Sequence, residues 1–341
     1  MTTSARERGL GALVVSAILA VLVAIVSMGF GRLFIPPTDV VTVLGNNLFG
    51  DGTLLPEYQA TVMQVRFPRV LLAMTIGAGL AGAGVALQAI FANPIVSPQV
   101  LGASSGASVG GALAIVLGLG QAALVAFSFV AGLLALGFVF AMSRTQGRNS
   151  LLSIVLSGII VGTFCSAVVS LLKYVADPYD QLPTIVFWLL GTLASATYTK
   201  LWVALIPVVL GFTVILMLRW RVNLLSLGDD EARALGVNPQ RVRWVLLIAV
   251  ALIVAGAVAV SGVIGWVGLV VPHLGRLLVG SDNQVLTPVA VCIGAGYLTL
   301  IDTITRSAGP AEIPLGVLTA LVGAPVFFLI LRSSRNRGWA G

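Results

Sequence analysis

Ten stretches of nearly uninterrupted apolar sequence lie along the chain, near residues 10–30, 68–91, 99–118, 122–142, 150–173, 199–218, 243–262, 265–279, 285–304 and 314–332. Their apolar positions run on continuously and lack the two-residue alternation of a half-buried strand. A membrane-crossing helix takes about 20 predominantly apolar residues, and only helices or closed barrels satisfy the backbone in lipid. Continuous runs select helices over a barrel. The pattern predicts an all-α polytopic membrane protein with ten transmembrane helices, forming a single membrane domain over residues 1–341. The eighth run is short and interrupted by Pro272. Between runs the polar positions are sparse. The loop from Gly31 to Gln64 is the longest, and its Pro36-Pro37 and Gly50-Asp51-Gly52 predict turns and short segments.

One polar stretch stands apart, running from Ser226 to Pro239, with Asp229, Asp230 and Glu231 inside it and Arg219, Arg221, Arg241 and Arg243 around it. Three acids at a helix N-terminus complement its dipole, Gly236 fits a left-handed stop, and Pro239 prevents continuation. A helix of about two turns is predicted, with Leu227, Ala232 and Leu235 as a small apolar face. Alone it is marginal, so it needs something to pack against, and a solvated loop is the alternative. In so apolar a chain, a mixed-charge helix outside the bilayer points to a docked soluble partner.

Composition and charge set the orientation. The chain is 58% hydrophobic and 9% charged, with a mean hydropathy of +1.06, far from the roughly 25% charged residues of soluble domains. Its net charge of +7 is no sign of nucleic-acid binding, because the basic residues cluster at the ends of the runs. An even number of crossings puts both termini on one side. With the termini in the cytosol, thirteen of the nineteen basic residues are cytosolic: Arg6, Arg8, Arg144, Arg148, Arg219, Arg221, Arg233, Arg241, Arg243, Arg276, Arg332, Arg335 and Arg337. That is the side positive residues prefer. Outside lie Arg32, Arg66, Arg69, Lys173, Lys200 and Arg306. Several acids, Asp302 and Glu312 among them, fall at or near the outer face. The first run follows Arg6 and Arg8, is too long for a secretory signal, and lacks an A-x-A site, so it reads as an uncleaved span.

Small residues suggest close helix approach, at Gly102, Gly106 and Gly110, at Gly77, Ala81 and Val85, and from Ser157 to Gly162. Catalytic and metal chemistry finds little support. Neither lysine belongs to a G-K-[ST] triplet, so there is no Walker A loop. His273 stands alone with no carboxylate or cysteine nearby in sequence, and reads as a packed, hydrogen-bonded residue. Cys165 and Cys292 lie within apolar runs and read as buried free thiols. Gly102-Ala-Ser-Ser-Gly106 matches the nucleophile motif of serine hydrolases, but that motif needs a strand-to-helix turn, and here it opens an apolar helix. Proton-driven carriers need ionisable groups in mid-membrane, and the run interiors hold almost none. A secondary transporter is therefore the disfavoured alternative.

Five blocks in order resemble a known family. They are Val65-Arg-Phe-Pro-Arg69 leading into Ile76 to Gln88, Asn93 to Pro98 followed by Leu101 to Ala107, Leu227 to Gly236, Gly265 to Arg276, and Asp302-Thr-Ile-Thr-Arg306. From about Val40 to Arg332 the chain resembles the FecCD-like or vitamin-B12-permease-like subunits of type II ABC importers, which take up iron-siderophores, haem and cobalamin. The resemblance implies the type II ABC importer permease fold in a bacterial cytoplasmic membrane. It implies a homodimer or close heterodimer, two cytosolic ATPase subunits that bind ATP and Mg, and an extracytoplasmic binding protein. It implies no catalysis and no cofactor in this chain. The segment 226–238 falls on the coupling helix, with Gly228, Asp230, Glu231, Ala232, Leu235 and Gly236 in contact or helix-stop roles. Arg66, Arg69 and Arg306 fall on arginines that pair with carboxylates of the binding protein, although snorkelling at the lipid interface is an alternative, and charge reversal at Arg69 is expected to weaken docking. The path implied by the family runs along the fifth and tenth spans, here Ser157, Gly158, Gly162, Thr163, Ser166 and Ser170 with Leu315, Thr319 and Gly323. The expected cargo is a chelated iron compound, a ferric siderophore first, with haem or cobalamin as alternatives.

Overall fold

The computed structural model describes residues 3–31, 33–50, 56–143, 151–225, 228–309 and 311–335. Among them there is no strand. Arg32, Asp51, Arg144, Arg148, Arg337 and the first two residues of the polar segment, Ser226 and Leu227, lie outside the described residues. The helices are α1 (Thr3–Gly29), α2 (Pro37–Phe49), α3 (Pro56–Ala60), α4 (Phe67–Ile90), α5 (Ala103–Val116), α6 (Gln121–Ser143), α7 (Leu151–Val175), α8 (Gln181–Leu189), α9 (Tyr198–Leu225), α10 (Asp229–Ala234), α11 (Pro239–Ser261), α12 (Val267–Val279), α13 (Asn283–Ser307) and α14 (Leu315–Arg335). Seven of these regions are long and apolar enough to cross a membrane, within α1, α3–α4, α6, α7, α9, α11 and α13. The three shorter apolar helices α5, α12 and α14 fill the remaining places. Together they follow the ten apolar runs in order, so the protein is an all-α polytopic membrane protein with ten transmembrane helices.

Helices α4 and α11 form the centre, each buried over 78% of its most apolar stretch, whereas α1 at the periphery is buried over 17%. The centre is dense because side chains are absent where backbones meet. A Cβ on Gly77 would lie 2.2 Å from the Gly294 carbonyl oxygen of α13, and one on Gly84 would lie 2.1 Å from the Gly268 oxygen of α12. Gly106 and Gly110 press α5 onto α6 in the same way, as their spacing predicts. Gly102 does not share that role. It caps the start of α5 with φ +74° after a 3₁₀ turn over Pro98–Leu101.

Two elements depart from the sequence expectation. The loop 31–64 carries α2, whose Val40 and Val43 pack with Ala24, Met28, Ile35, Val62 and Val70 into a second apolar cluster. After α3, a π-helical turn over Thr61–Arg66 precedes Pro68, which sits in the first turn of α4. Proline supplies no N–H to the ladder, and the wide turn takes up an extra residue there. Helix α8 is nine residues long, too short for a span, and ends against two others. The Leu315 and Gly316 N–H groups that open α14 donate to the Gly191 and Leu190 oxygens, both at 2.9 Å. Donors that an isolated helix start leaves unpaired are thus satisfied by carbonyls past the end of α8.

The two faces of the bundle can be told apart by contacts. Gly9 near the start of α1 lies against Val285 near the start of α13. This terminal face also carries α10. The opposite face carries the end of α1 and the end of α13, joined by a Ser27–Thr303 hydroxyl pair at 2.6 Å.

Candidate functional site

On the terminal face, α10 is held out as a short rigid knob. Asp229 anchors it, its carboxylate accepting from both Nη atoms of Arg243 on α11 at 2.9 and 2.6 Å. That hydrogen bond is the main reason the Asp229 carboxyl is held below its usual range, assisted by the charges of Arg243 and Arg233 against the cost of burial. Ala232 is fully buried beneath the helix. Gly236 takes φ +79°, and the Val237 N–H reaches back to the Ala232 oxygen at 2.9 Å while Gly236 donates to Arg233. This is a Schellman stop, with buried Val237 covering Ala232 as the motif expects. The glycine stop predicted from sequence is therefore seen. Pro239 has a different role from the one expected. It opens α11 behind Asn238, whose side chain accepts from the Arg241 N–H at 3.0 Å.

The geometry sorts the predicted coupling residues. Asp230, Glu231, Leu235 and Gly236 are exposed, and Gly228 is half-buried under the Glu231 carboxylate. Ala232 is inside and is a support rather than a contact. Among the described residues Asp230 pairs only with Arg233 of its own helix, at 2.6 Å, and its side chain is 92% exposed. The knob thus offers a surface of two carboxylates and one leucine on a well-anchored base.

The three arginines read as binding-protein contacts require a correction. They were expected to point outward as forks for a partner's carboxylates, and all three are buried at 5–7% exposure. Arg66 donates to the Met28, Gly29 and Leu33 oxygens, closing off carbonyls that the end of α1 leaves open. Arg69 is a double fork. Its Nε and Nη2 meet Asp302 at 2.9–3.1 Å, and its Nη1 and Nη2 meet Glu312 at 2.9 Å each. Arg306 lies 3.6 Å from Asp302 through Nε and donates to the Ser27 carbonyl and hydroxyl oxygens. The physical reason is desolvation. A guanidinium near an apolar boundary is better satisfied by fixed carboxylates and carbonyls than left half-solvated. Here it finds both on the neighbouring helices. Asp302 and Glu312, read from the sequence only as acids at or near the same face, are the partners. Three cations and two anions near one face of the bundle were the available signal.

The predicted path residues divide as well. On α7, Thr163, Ser166 and Ser170 are exposed and Gly162 is half-exposed, in one stripe with Ile159. Each hydroxyl donates to its own helix, at 2.8–2.9 Å. Ser157, Gly158, Leu315, Thr319 and Gly323 are buried within the single chain. Residues already covered in one copy cannot line a channel between copies in this conformation. Those five are therefore packing residues, and Gly158 shows why: a Cβ there would stand 2.1 Å from the Val100 oxygen.

The remaining chemical candidates resolve simply. Ser104 is buried in the first turn of α5, behind a 3₁₀ turn and a left-handed glycine, so the strand-to-helix elbow of a hydrolase is replaced by different geometry. His273 packs edge-on to Phe327 with centroids 5.9 Å apart, and its Nδ1 has no hydrogen-bond partner among the described residues. Both cysteines are free thiols, Cys165 buried and Cys292 half-buried. Among the described residues no cluster of three or more His, Cys, Asp or Glu could hold a metal.

Comparison with known proteins agrees with this architecture. The model of the FecCD transport family matches residues 18–333. The chain is 42% identical over 324 residues to the molybdate import system permease protein MolB of Haemophilus influenzae, covering 94% of this chain and 95% of that one. It is 40% identical over 322 residues to a probable iron chelatin transport system permease protein of Helicobacter pylori, covering 94% and 98%. It is 40% identical over 284 residues to the hemin transport system permease protein HmuU of Yersinia pestis, covering 81% and 84%. Among solved structures it is similar to a metal-chelate type ABC transporter in an inward-facing conformation, with a TM-score of 0.85, 41% identity, and coverage of 94% and 98%.

Proposed function

The chain belongs to the FecCD transport family, and on that premise we propose that it is the membrane permease of an ATP-driven bacterial importer whose cargo is a chelated iron compound, a ferric siderophore. The observation that carries the reading is α10. A membrane protein with no nucleotide-binding loop of its own presents a capped, ion-paired helix with exposed Asp230, Glu231 and Leu235. That is a handle for a soluble motor. In this reading the terminal face is cytosolic, two ATPase subunits hold ATP and Mg there, and their closure moves α10 and the helices it is tied to. A second copy of the permease completes the path. A binding protein delivers cargo to the opposite face, where the buried arginines brace the docking surface from beneath. No bond is made or broken in this chain.

The exposed α7 stripe of hydroxyls and apolar side chains is uncharged, which suits passage of a bulky complex without capture. Relatives named for iron chelatin and hemin transport support a metal chelate as cargo. A second reading, molybdate, is favoured by the name of the 42% identical relative. The deciding experiment reconstitutes the permease with its ATPase and binding protein in proteoliposomes. Labelled ferric siderophore is expected to accumulate only with ATP, and labelled molybdate not at all. Accumulation of molybdate alone transfers the assignment to the second reading. Uptake that persists without ATP overturns the importer reading altogether.

A further inference from the structure

Six described arginines crowd the terminal face around α9–α13, and four of them are engaged. Arg233 and Arg243 are paired with α10 carboxylates, Arg219 donates to the Gln284 oxygen at 3.3 Å, and Arg276 donates to Gln88. Arg221 of α9 and Arg241 of α11 are the two left over. Both are exposed, and neither side chain has a partner among the described residues. The acids nearby are committed elsewhere. Asp229 and Asp230 hold Arg243 and Arg233, Asp282 accepts from Asn223 at 2.7 Å, and Glu231 folds over Gly228.

These two arginines both line a groove of about 440 Å³ between α9 and α11, together with Trp220, Leu235, Val242 and Val245. Ligand sites of this kind run from about 300 to 1,000 Å³. Arg221 lies four residues before the end of α9, and Arg241 two residues after the start of α11. At about 1.5 Å of rise per residue, Arg241 sits about 3 Å and Arg221 about 6 Å along the axis from its helix end. Trp220 is 54% exposed beside them, an interfacial residue in an interfacial place. Toward the membrane middle the exposed surface is apolar at Val245 and Ile248 on α11 and at Met217 and Leu210 on α9, interrupted by exposed Thr213, whose hydroxyl donates to the Val209 oxygen of its own helix. Unpaired positive charge above a largely apolar strip on spanning helices is complementary to one kind of molecule. It needs an anionic head and hydrocarbon tails.

We propose that this groove is a binding site for an anionic glycerophospholipid. Its phosphate bridges Arg221 and Arg241, its glycerol region lies on Trp220, and its acyl chains run along Val245, Ile248 and Met217. General attraction of basic span ends to a membrane surface needs no groove and no pairing. The assignment here rests on two unpartnered arginines from adjacent helices converging on one cavity. Leu235 and Gly236, the stop of α10, form part of its wall, so a bound lipid also buttresses the knob.

The test uses the full chain purified in detergent and titrated with phosphatidylglycerol or phosphatidylcholine of identical tails, read by native mass spectrometry. Phosphatidylglycerol adducts are expected to form at roughly tenfold lower lipid concentration. The double variant Arg221→Gln/Arg241→Gln should lose that preference, while Arg332→Gln, an exposed arginine at the end of α14, should keep it. In parallel, phosphatidylglycerol with brominated tails should quench a component of tryptophan fluorescence that Trp220→Phe removes and that the double variant no longer yields to quenching. Equal adduct formation by the two lipids overturns the proposal, as does a double variant that retains the preference. Loss of ATPase co-purification in the double variant with lipid adducts unchanged also overturns it and makes the groove a protein contact.

Discussion

Arg69 donates to all four carboxylate oxygens of Asp302 and Glu312, and the two acids are not equivalent. The Asp302 side chain is 1% exposed and that of Glu312 is 26% exposed. Asp302 also stands near Arg306, so it balances two buried guanidiniums at once. Removing one partner of a buried pair costs about 3–5 kcal/mol, because the other charge is stranded. A partly exposed pair is worth about 1 kcal/mol or less. Asp302→Asn is therefore expected to lower the chemical or thermal unfolding midpoint in detergent sharply, and Glu312→Gln only slightly. Equal effects would show that the cluster does not act as a buried clamp centred on Asp302. The same geometry revises the consequence of Arg69→Glu, which should fail first in folding and only then in docking. The sequence offered the gathering of these charges on one face, but not which of them pair. Asp302 is 233 positions from Arg69, and without a contact map an outward arginine and a buried one look alike.

At the scale of the element, α10 was legible because its signals are local. Acids at the start, an alanine for the buried side and a glycine for the stop all lie within eight residues, Asp229 to Gly236. What was not legible is its fastening to α11 through Arg243. Gly236 has φ +79° and nothing within 4 Å of a built Cβ, so Gly236→Ala meets no clash and suffers only the left-handed backbone penalty, about 1–2 kcal/mol. Global stability should hardly change, while amide exchange over 229–237 rises and the ATPase co-purifies less well. Unaltered local exchange would contradict the stop. The Asp229 carboxyl titrates below its ordinary 3.8 in the folded chain. Its contribution is thus present above that ordinary value and is lost as pH falls through the lowered one. The α10–α11 link should be indifferent to pH across the neutral range. Asp229→Asn should reproduce at pH 7 the local exchange that strong acid produces in the parent, and a variant as protected as the parent would remove the link from the account. Helices α2 and α8 show the converse. Both pack apolar side chains, yet neither offers a run of spanning length. The search for spans passes over them.

For the whole molecule, the order of the ten spans followed from hydropathy because lipid imposes length and apolarity on each separately. Which face of a span turns inward is a collective property, and there the sequence reading divided. Small residues on α4, α5 and α13 mark contacts inside one chain. On α7 the small and polar residues split, with Ser157 and Gly158 inside and Thr163, Ser166 and Ser170 outside. The outer three bond to their own helix, so they present no unsatisfied donor to a neighbour. A stripe of this kind permits close contact with a second copy without fixing it by hydrogen bonds, which suits a path that must open and close. If α7 borders the axis of a dimer, a cysteine at Ser166 meets its symmetry mate. Disulfides form when Cα atoms come within about 7 Å. Ser166→Cys, made in a background with Cys165 and Cys292 changed to Ser, should give an oxidised dimer in membranes. Leu19→Cys, on the equally exposed but peripheral α1 at 55% exposure, should stay monomeric under the same oxidant. A dimer through Leu19 and none through Ser166 would move the axis to the other side of the bundle. It would take the exposed α7 stripe out of the transport path and return it to the lipid.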